Sequence, residues 1–198
     1  MRDVFDRLLA SGKDLLVDIL EYSLDQIAPE KGGYGSPIEV GFAVAAHALC
    51  ATRFQNEIGY VTECGLTDKQ LRERPMEGRQ FAVVAPQVKI GDYRVDFLIL
   101  HIRGLSGFGG VVVELDGHEF HERTKEQAQR DKARDRDLQD RGFRVFRFTG
   151  SEVWRDPFSC ANDAMMHAHS ISIDAMYARH LISLGDLKGA EKALSWMH

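Results

Sequence analysis

Apolar residues recur along this chain with two different periods, and the change of period divides it into segments. Before residue 30 the spacing is helical, and Ser11 with Asp14 resembles a helix cap at a restart, which predicts a helical hairpin or one broken helix. The glycine-rich segment KGGYGS ends at Ser36. The following PIEVGFAVAAHALCATRFQ predicts a second long helix with Pro37 at its first position.

From residue 81 the pattern changes to segments rich in β-branched and aromatic residues. FAVVAPQVKI, YRVDFLIL and GVVVELD predict three strands, and the turn IGDY joins the first two as a hairpin. A helix is predicted from about Glu122 to Arg141, where Gly142 ends it, and FRVFRF predicts another strand. Residues 151–198 are predicted to be helical again, with Gly185 separating the last two segments.

Four segments in this order carry a resemblance to a known family: SPIE at 36–39, PQVKIGDYRVDFLI at 86–99, VVELDGHEFH at 112–121 and DKARDRDLQDRGFRVFRFTGSEV at 131–153. The chain resembles the PD-(D/E)xK, or restriction-endonuclease-like, superfamily. Within it, the motifs look like an uncharacterised domain family allied to very-short-patch-repair endonucleases.

The resemblance implies an α/β fold whose core runs helix, strand, strand, strand, helix, strand, with a mixed sheet flanked by helices. We expect this endonuclease-like core at residues 36–156. Residues 1–30 and 157–198 are predicted to form N-terminal and C-terminal helical extensions.

Composition and charge narrow the function without fixing it. The chain has 198 residues, 44% hydrophobic and 28% charged, which fits one globular domain of ordinary composition. A net charge of -5 argues against a protein that coats nucleic acid indiscriminately. Residues 121–147 nevertheless hold nine lysines and arginines against six acids, so a polyanion could dock there, although such a mixed-sign helix is also typical of a solvated face.

The cysteines and the hydropathy of the chain indicate the cellular compartment in which we expect the protein. The three cysteines, Cys50, Cys64 and Cys160, form no CxxC pair, so neither a disulfide framework nor a zinc ribbon is predicted. No segment approaches the roughly 20 apolar residues that span a bilayer. We therefore expect a cytoplasmic protein with no membrane partner. The terminal helices could form a homodimer, gate the cleft, bind another partner or simply pack.

Carboxylates interrupt two of the predicted strands. Asp96 lies within the apolar YRVDFLIL, and Glu114 follows three valines, two residues before Asp116, so alternation places Glu114 and Asp116 on one face. Buried carboxylates are costly without compensation, and Mg²⁺ prefers carboxylate oxygens plus water. If the strands are neighbours, the three acids converge, and Asp96 with Glu114 is predicted to bind Mg²⁺ or Mn²⁺. The alternative is that they cap turns or pair with arginines such as Arg94 or Arg103.

Glu39 has two interpretations. The resemblance implies a catalytic role, because an acidic residue on the first core helix commonly completes the metal site of the superfamily. Local chemistry offers a capping box, in which Glu39 reaches back to the amide of Ser36. The small residues Ala43 and Ala46 near Glu39 on the helical face favour a close approach to the sheet, and hence the catalytic interpretation.

The third signature position holds Asp116 where the superfamily pattern has lysine. The strand therefore lacks the cation that would orient the attacking water or stabilise phosphate charge. The resemblance suggests Lys125, in the first turn of the following helix, as a relocated lysine. His121 and then His118 come next, because DGHEFH looks like the HGCFWH-type segment of patch-repair enzymes. Each of the three could instead be an ordinary turn or surface residue.

One face of the helix at 122–141 is a candidate nucleic-acid-binding surface. Four polar residues at helical spacing form a mostly basic stripe that could follow a phosphate backbone: Lys125, Gln129, Lys132 and Arg136. The opposite side carries Asp131 and Arg134, which are predicted to make structural pairs. Trp154 and Trp196 are predicted to pack in the core rather than to stack on bases.

Two classes of function follow. The first is a divalent-metal-dependent endonuclease that cuts DNA in repair, restriction or phage defence; its proposed catalytic residues are Glu39, Asp96, Glu114, Asp116, His121 and Lys125. The second is a catalytically degenerate nuclease fold that serves as a nucleic-acid-binding or assembly module. The missing lysine favours the second class. The retained acids favour the first, because a module that only binds nucleic acid gains nothing from burying carboxylates that repel phosphate. A weaker third is another metal hydrolase using His118 and His121.

Overall fold

Five strands form one mixed sheet in the computed structural model, which describes residues 2–27, 33–55, 57–74, 81–102, 109–116 and 125–195. The strands are β1 (Ile58–Tyr60), β2 (Ala82–Ile90), β3 (Tyr93–His101), β4 (Gly110–Asp116) and β5 (Phe143–Thr149), and they lie side by side in this order. β2 with β3 and β3 with β4 are antiparallel, while β1 with β2 and β4 with β5 are parallel. The predicted α/β fold with a mixed sheet is confirmed.

Seven helices surround this sheet in the described residues: α1 (Arg2–Ile27), α2 (Pro37–Ala51), α3 (Asp68–Arg72), α4 (Lys125–Asp140), α5 (Gly150–Arg155), α6 (Pro157–Ser183) and α7 (Leu187–Leu194). The predicted interruption at Ser11 is wrong, because α1 is continuous. A serine in a helix interior costs only a few tenths of a kcal/mol, so the flanking helical pattern prevails. The predicted end of α4 is confirmed, since Gly142 has a left-handed φ of 82°.

Two apolar cores cover the two faces of the sheet. The first packs α2 and α6 against one face and includes Phe42, Phe97, Ile99, Val111, Val113 and Met165. The second lies under α3 and α4 and includes Leu71, Leu98, Leu100, Val112 and Leu138. A strand that is buried on both faces needs apolar residues at every position. This explains the uninterrupted valines that precede Glu114.

Trp154 is 78% exposed, so the prediction that it packs in the core is wrong. It lies on the short helix α5, whose buried residues are Gly150 and Val153. A helix of this length has room for one narrow buried face, and Val153 occupies it. Trp196 lies outside the described residues. In the described part of the chain, no helix combines the length and apolar character needed to cross a membrane.

Candidate metal-binding site

Asp96 and Glu114 lie on neighbouring strands where the pairing between those strands stops. The last pair of the β3–β4 ladder at this end is Phe97 with Val113, and Asp96 and Glu114 are the next residue on each strand. The Asp96 Oδ2 atom accepts a hydrogen bond of 2.8 Å from the amide of Leu115. The carboxylate therefore takes an acceptor position that a ladder carbonyl would otherwise fill. The expectation that these two strands are neighbours is confirmed.

Burial makes both carboxylates harder to ionise than usual. Burial raises the pKa of Asp96, and the charges of Glu39 and Asp116 raise it further, against the Leu115 amide and Arg134. Burial also raises the pKa of Glu114 to about 7, although Arg134 opposes this shift. A divalent cation stabilises the ionised form of both groups, so this environment favours cation binding.

Helix α4 brings one arginine to this pair of acids. The Arg134 Nη2 atom lies 2.5 Å from the Glu114 Oε1 atom and 2.7 Å from the backbone carbonyl oxygen of Arg94. Its guanidinium also lies over the Tyr93 ring, 5.8 Å from the ring centroid. The sequence predicted a structural pair for Arg134, but it did not indicate that the partner is the candidate metal ligand Glu114.

A second arginine lies beside Asp116. Arg147 on β5 is paired with Glu114 in the sheet register. Its Nη1 atom is 3.6 Å from Asp116 Oδ1, and its Nη2 atom is 2.7 Å from Asp135 Oδ1. Where the superfamily pattern has a strand lysine, this chain therefore has a carboxylate held by an arginine of the next strand. Strand alternation within FRVFRF is the sequence signal that could have indicated Arg147.

Glu39 is buried at the start of α2, with 8% exposure. Its Oε2 atom accepts hydrogen bonds from the amide of Gly35 at 3.0 Å and from Gln87 Nε2 at 2.5 Å. Its Oε1 atom accepts one from the Ser36 hydroxyl at 3.2 Å. The backbone amide that Glu39 caps is that of Gly35, one residue before the predicted one, because Ser36 is the extended N-cap residue. The charge of Glu39 helps to raise the pKa of Asp96, and a catalytic role for Glu39 stays a prediction.

Gln87 is a polar residue of this region that the sequence did not indicate. It lies on β2 opposite Asp96, between the paired positions Pro86 with Phe97 and Val88 with Val95. Gln87 is buried, at 4% exposure. The available signal was the same as for Asp96, namely one polar side chain in an otherwise apolar strand.

The donor set at the strand ends fits magnesium better than zinc. Among the described residues, no three His, Cys, Asp or Glu side chains are grouped so that they could hold a metal ion together. Zinc usually takes four nitrogen or sulfur ligands, whereas Mg²⁺ commonly uses one or two carboxylates plus waters and substrate phosphates. The half-buried Asp96 and the buried Glu114 supply that number of carboxylates.

Comparison with known families agrees with the fold of this core. Residues 71–167 match the family model REase_MTES_1575, a restriction-endonuclease-like family. The core of this chain is restriction-endonuclease-like. The matched segment contains Asp96, Glu114 and Arg134, and it begins after Glu39. No curated protein and no solved structure matches the chain. The relationship to very-short-patch-repair endonucleases stays a prediction.

Only some of the other predicted site residues of this restriction-endonuclease-like core lie within the described residues. His118 and His121 lie outside the described residues, and so does the side chain of Lys125, the first residue of α4. The three remaining residues of the predicted basic stripe, Gln129, Lys132 and Arg136, are exposed on α4. The group that replaces the signature lysine therefore stays a prediction.

Proposed function

We propose that this protein is a divalent-metal-dependent endonuclease that hydrolyses phosphodiester bonds of DNA. The observation that carries the proposal is the half-buried carboxylate of Asp96 beside the buried carboxylate of Glu114, at the end of the β3–β4 ladder and with raised pKa values. A restriction-endonuclease-like core is the structural context in which such a pair suggests a nuclease.

In this proposal Asp96 and Glu114 hold Mg²⁺ or Mn²⁺. The bound ion would neutralise phosphate charge and lower the pKa of a water molecule. Glu39 accepts a hydrogen bond from, and so orients, a water at the Asp96 end of the site. Asp116, paired with Arg147, places a further carboxylate near Glu114. Lys125 or His121 would then accept or donate the proton that is transferred in the reaction, as the resemblance implies.

The exposed face of α4 is the proposed DNA-binding surface. Lys132 and Arg136 offer positive charge there, and Gln129 offers a hydrogen-bonding amide between them and Lys125. Contacts of this kind fix the backbone of a duplex without reading its bases. On its opposite side the same helix carries Arg134 to Glu114.

A degenerate fold that binds nucleic acid without cutting it remains the second candidate. One observation favours it: the Arg134 guanidinium already contacts Glu114, and a resident cation can take the place of a metal ion. The cytoplasmic location, the role in repair, restriction or phage defence, and a homodimer through the terminal helices are also proposals.

The test is cleavage of duplex DNA, single-stranded DNA and RNA in Mg²⁺ or Mn²⁺. Wild type is compared with Asp96→Asn, Glu114→Gln and the matched control Asp92→Asn, an exposed acid at the β2–β3 turn. Metal-dependent cutting of DNA that both site variants lose and the control keeps supports the endonuclease. DNA binding without cutting supports the degenerate module, and cutting by all four proteins contradicts this assignment of the site.

A further inference from the structure

Strand β2 changes the face to which its side chains point at Gln87. Before it, the odd-numbered Val83 and Ala85 belong to the core beneath α3 and α4; after it, the even-numbered Val88 and Ile90 belong to the same core. Gln87 has a φ of 52°, the one left-handed non-glycine residue in the described part of the chain. A left-handed residue breaks the simple alternation of a strand, and it costs free energy for any residue with a Cβ atom.

The neighbouring strand changes face at the opposite position. Val95 and Leu98 belong to the core beneath α3 and α4, whereas Phe97 belongs to the other core, so the alternation of β3 shifts by one residue around Asp96. Gln87 and Asp96 face each other in the register, between the Pro86–Phe97 and Val88–Val95 pairs. Both shifts therefore occur at one cross-strand pair, and that pair contains the candidate metal ligand.

The side chain of Gln87 reaches Glu39, the acidic residue at the start of α2. Its Nε2 atom donates to Glu39 Oε2 at 2.5 Å, across 48 residues of sequence. The Gly35 amide donates to the same oxygen, so Oε2 has two donors, while Oε1 accepts from the Ser36 hydroxyl. A carboxylate oxygen can accept two hydrogen bonds. Oε1 thus keeps an acceptor position.

We propose that Gln87 is a positioning residue that locks the Glu39 carboxylate beside Asp96 and leaves Oε1 as its working oxygen. This inference rests on the proposed metal-dependent nuclease. Backbone requirements alone do not explain Gln87, because glycine adopts a left-handed φ with less strain. The buried amide is what glutamine adds, and its hydrogen bond ends on Glu39.

Gln87→Gly separates positioning from structure, because it deletes the amide and relieves the backbone strain together. We expect a urea midpoint equal to or above that of wild type. Mn²⁺ affinity, measured by calorimetry without DNA, falls about tenfold, since residues that orient metal-site groups commonly contribute 10- to 100-fold. The kcat for cleavage falls by a similar factor while KM for DNA stays unchanged. Glu39→Gln gives the same losses, and the double variant is no worse than either single variant.

Three outcomes would overturn the inference. If Gln87→Gly binds Mn²⁺ and cleaves like wild type, Gln87 positions nothing, while the nuclease assignment stands on the Asp96 dependence. If its losses match an equal loss of stability, the role of Gln87 is structural. If wild type neither binds Mn²⁺ nor cleaves DNA, the proposed function fails and this inference fails with it.

Discussion

The Arg134 guanidinium lies 2.5 Å from a carboxylate oxygen of Glu114, and this contact ties α4 to β4 at the candidate site. A charge-assisted hydrogen bond of this kind normally favours the ionised carboxylate. Burial nevertheless raises the Glu114 pKa to about 7. The arginine therefore compensates only part of the cost of burying the charge, and a second cation would supply the rest.

Replacing Arg134 by methionine is expected to lower the free energy of unfolding by roughly 2–4 kcal/mol, because it leaves the largely buried Glu114 without its cation. Arg134→Lys should lose less, since it keeps the charge but not the planar fork. Urea denaturation at pH 8 measures both. The control is Arg141→Met, which breaks an exposed pair with Asp137 and should leave the urea midpoint unchanged. A stable Arg134→Met would show that this contact does not hold α4 to the sheet.

Metal binding should weaken in acid because Glu114 must lose a proton before it can bind a cation. With a pKa of about 7, the carboxylate is mostly ionised at pH 8 and mostly protonated at pH 6. We expect Mn²⁺ affinity to fall about tenfold between these values, one pH unit on either side of the pKa. The raised pKa of Asp96 acts in the same direction. Calorimetry at the two pH values, on wild type and on Asp92→Asn, gives the test; equal affinities at pH 6 and pH 8 would exclude Glu114 as a ligand.

The elements that were predicted correctly are those with a strong local pattern in the sequence. Strands β2 to β5 are long enough to show β-rich periodicity, and Asp96 and Glu114 stand out because a carboxylate in an apolar strand is costly. By contrast, β1 and α3 were missed because segments of three and five residues contain too few positions to show a period.

Contacts between distant residues could not be predicted in the same way. The hydrogen bond from Gln87 to Glu39 depends on a left-handed backbone and on two elements far apart in sequence. The pairing of Arg134 with Glu114 depends on how α4 packs across β4. Helical periodicity placed Arg134 on a face of α4, but no local pattern specifies which strand residue that face meets.

His101, away from the metal site, should make a contribution to stability that is lost in mild acid. Burial lowers the His101 pKa to about 4, and the imidazole hydrogen-bonds the Ser172 hydroxyl at 2.7 Å. In the unfolded chain His101 therefore binds a proton below about pH 6.5, whereas in the folded chain it binds one only near pH 4. The stability contributed by His101, full above pH 6.5, is lost progressively down to pH 4, by about 3 kcal/mol at most. The raised pKa of Glu114 acts in the opposite direction over this range, because there the folded chain binds a proton more readily than the unfolded chain.

Relative to wild type, His101→Gln should gain up to about 3 kcal/mol of unfolding free energy on going from pH 6.5 to pH 4. Urea denaturation across this range measures it, and His180→Gln, a substitution at an exposed position of α6, is the control that should keep the wild-type slope. If the unfolding free energy of His101→Gln changes between pH 6.5 and pH 4 by the same amount as that of wild type, His101 does not cause the effect.

The exposed stripe of α4 should contribute to DNA affinity through phosphate contacts, and salt dependence reveals such contacts. Each cation that neutralises a phosphate adds about 0.9 to the slope of log affinity against log salt. We expect the double variant Lys132→Ala with Arg136→Ala to lower that slope by about 2 and to weaken binding similarly for all duplex sequences. Lys188→Ala with Lys192→Ala removes the same charge from exposed positions of α7 and is the matched control. Because the two double variants have equal net charge, an equal change of slope in both would mean that DNA senses only total charge and that α4 is not its binding surface.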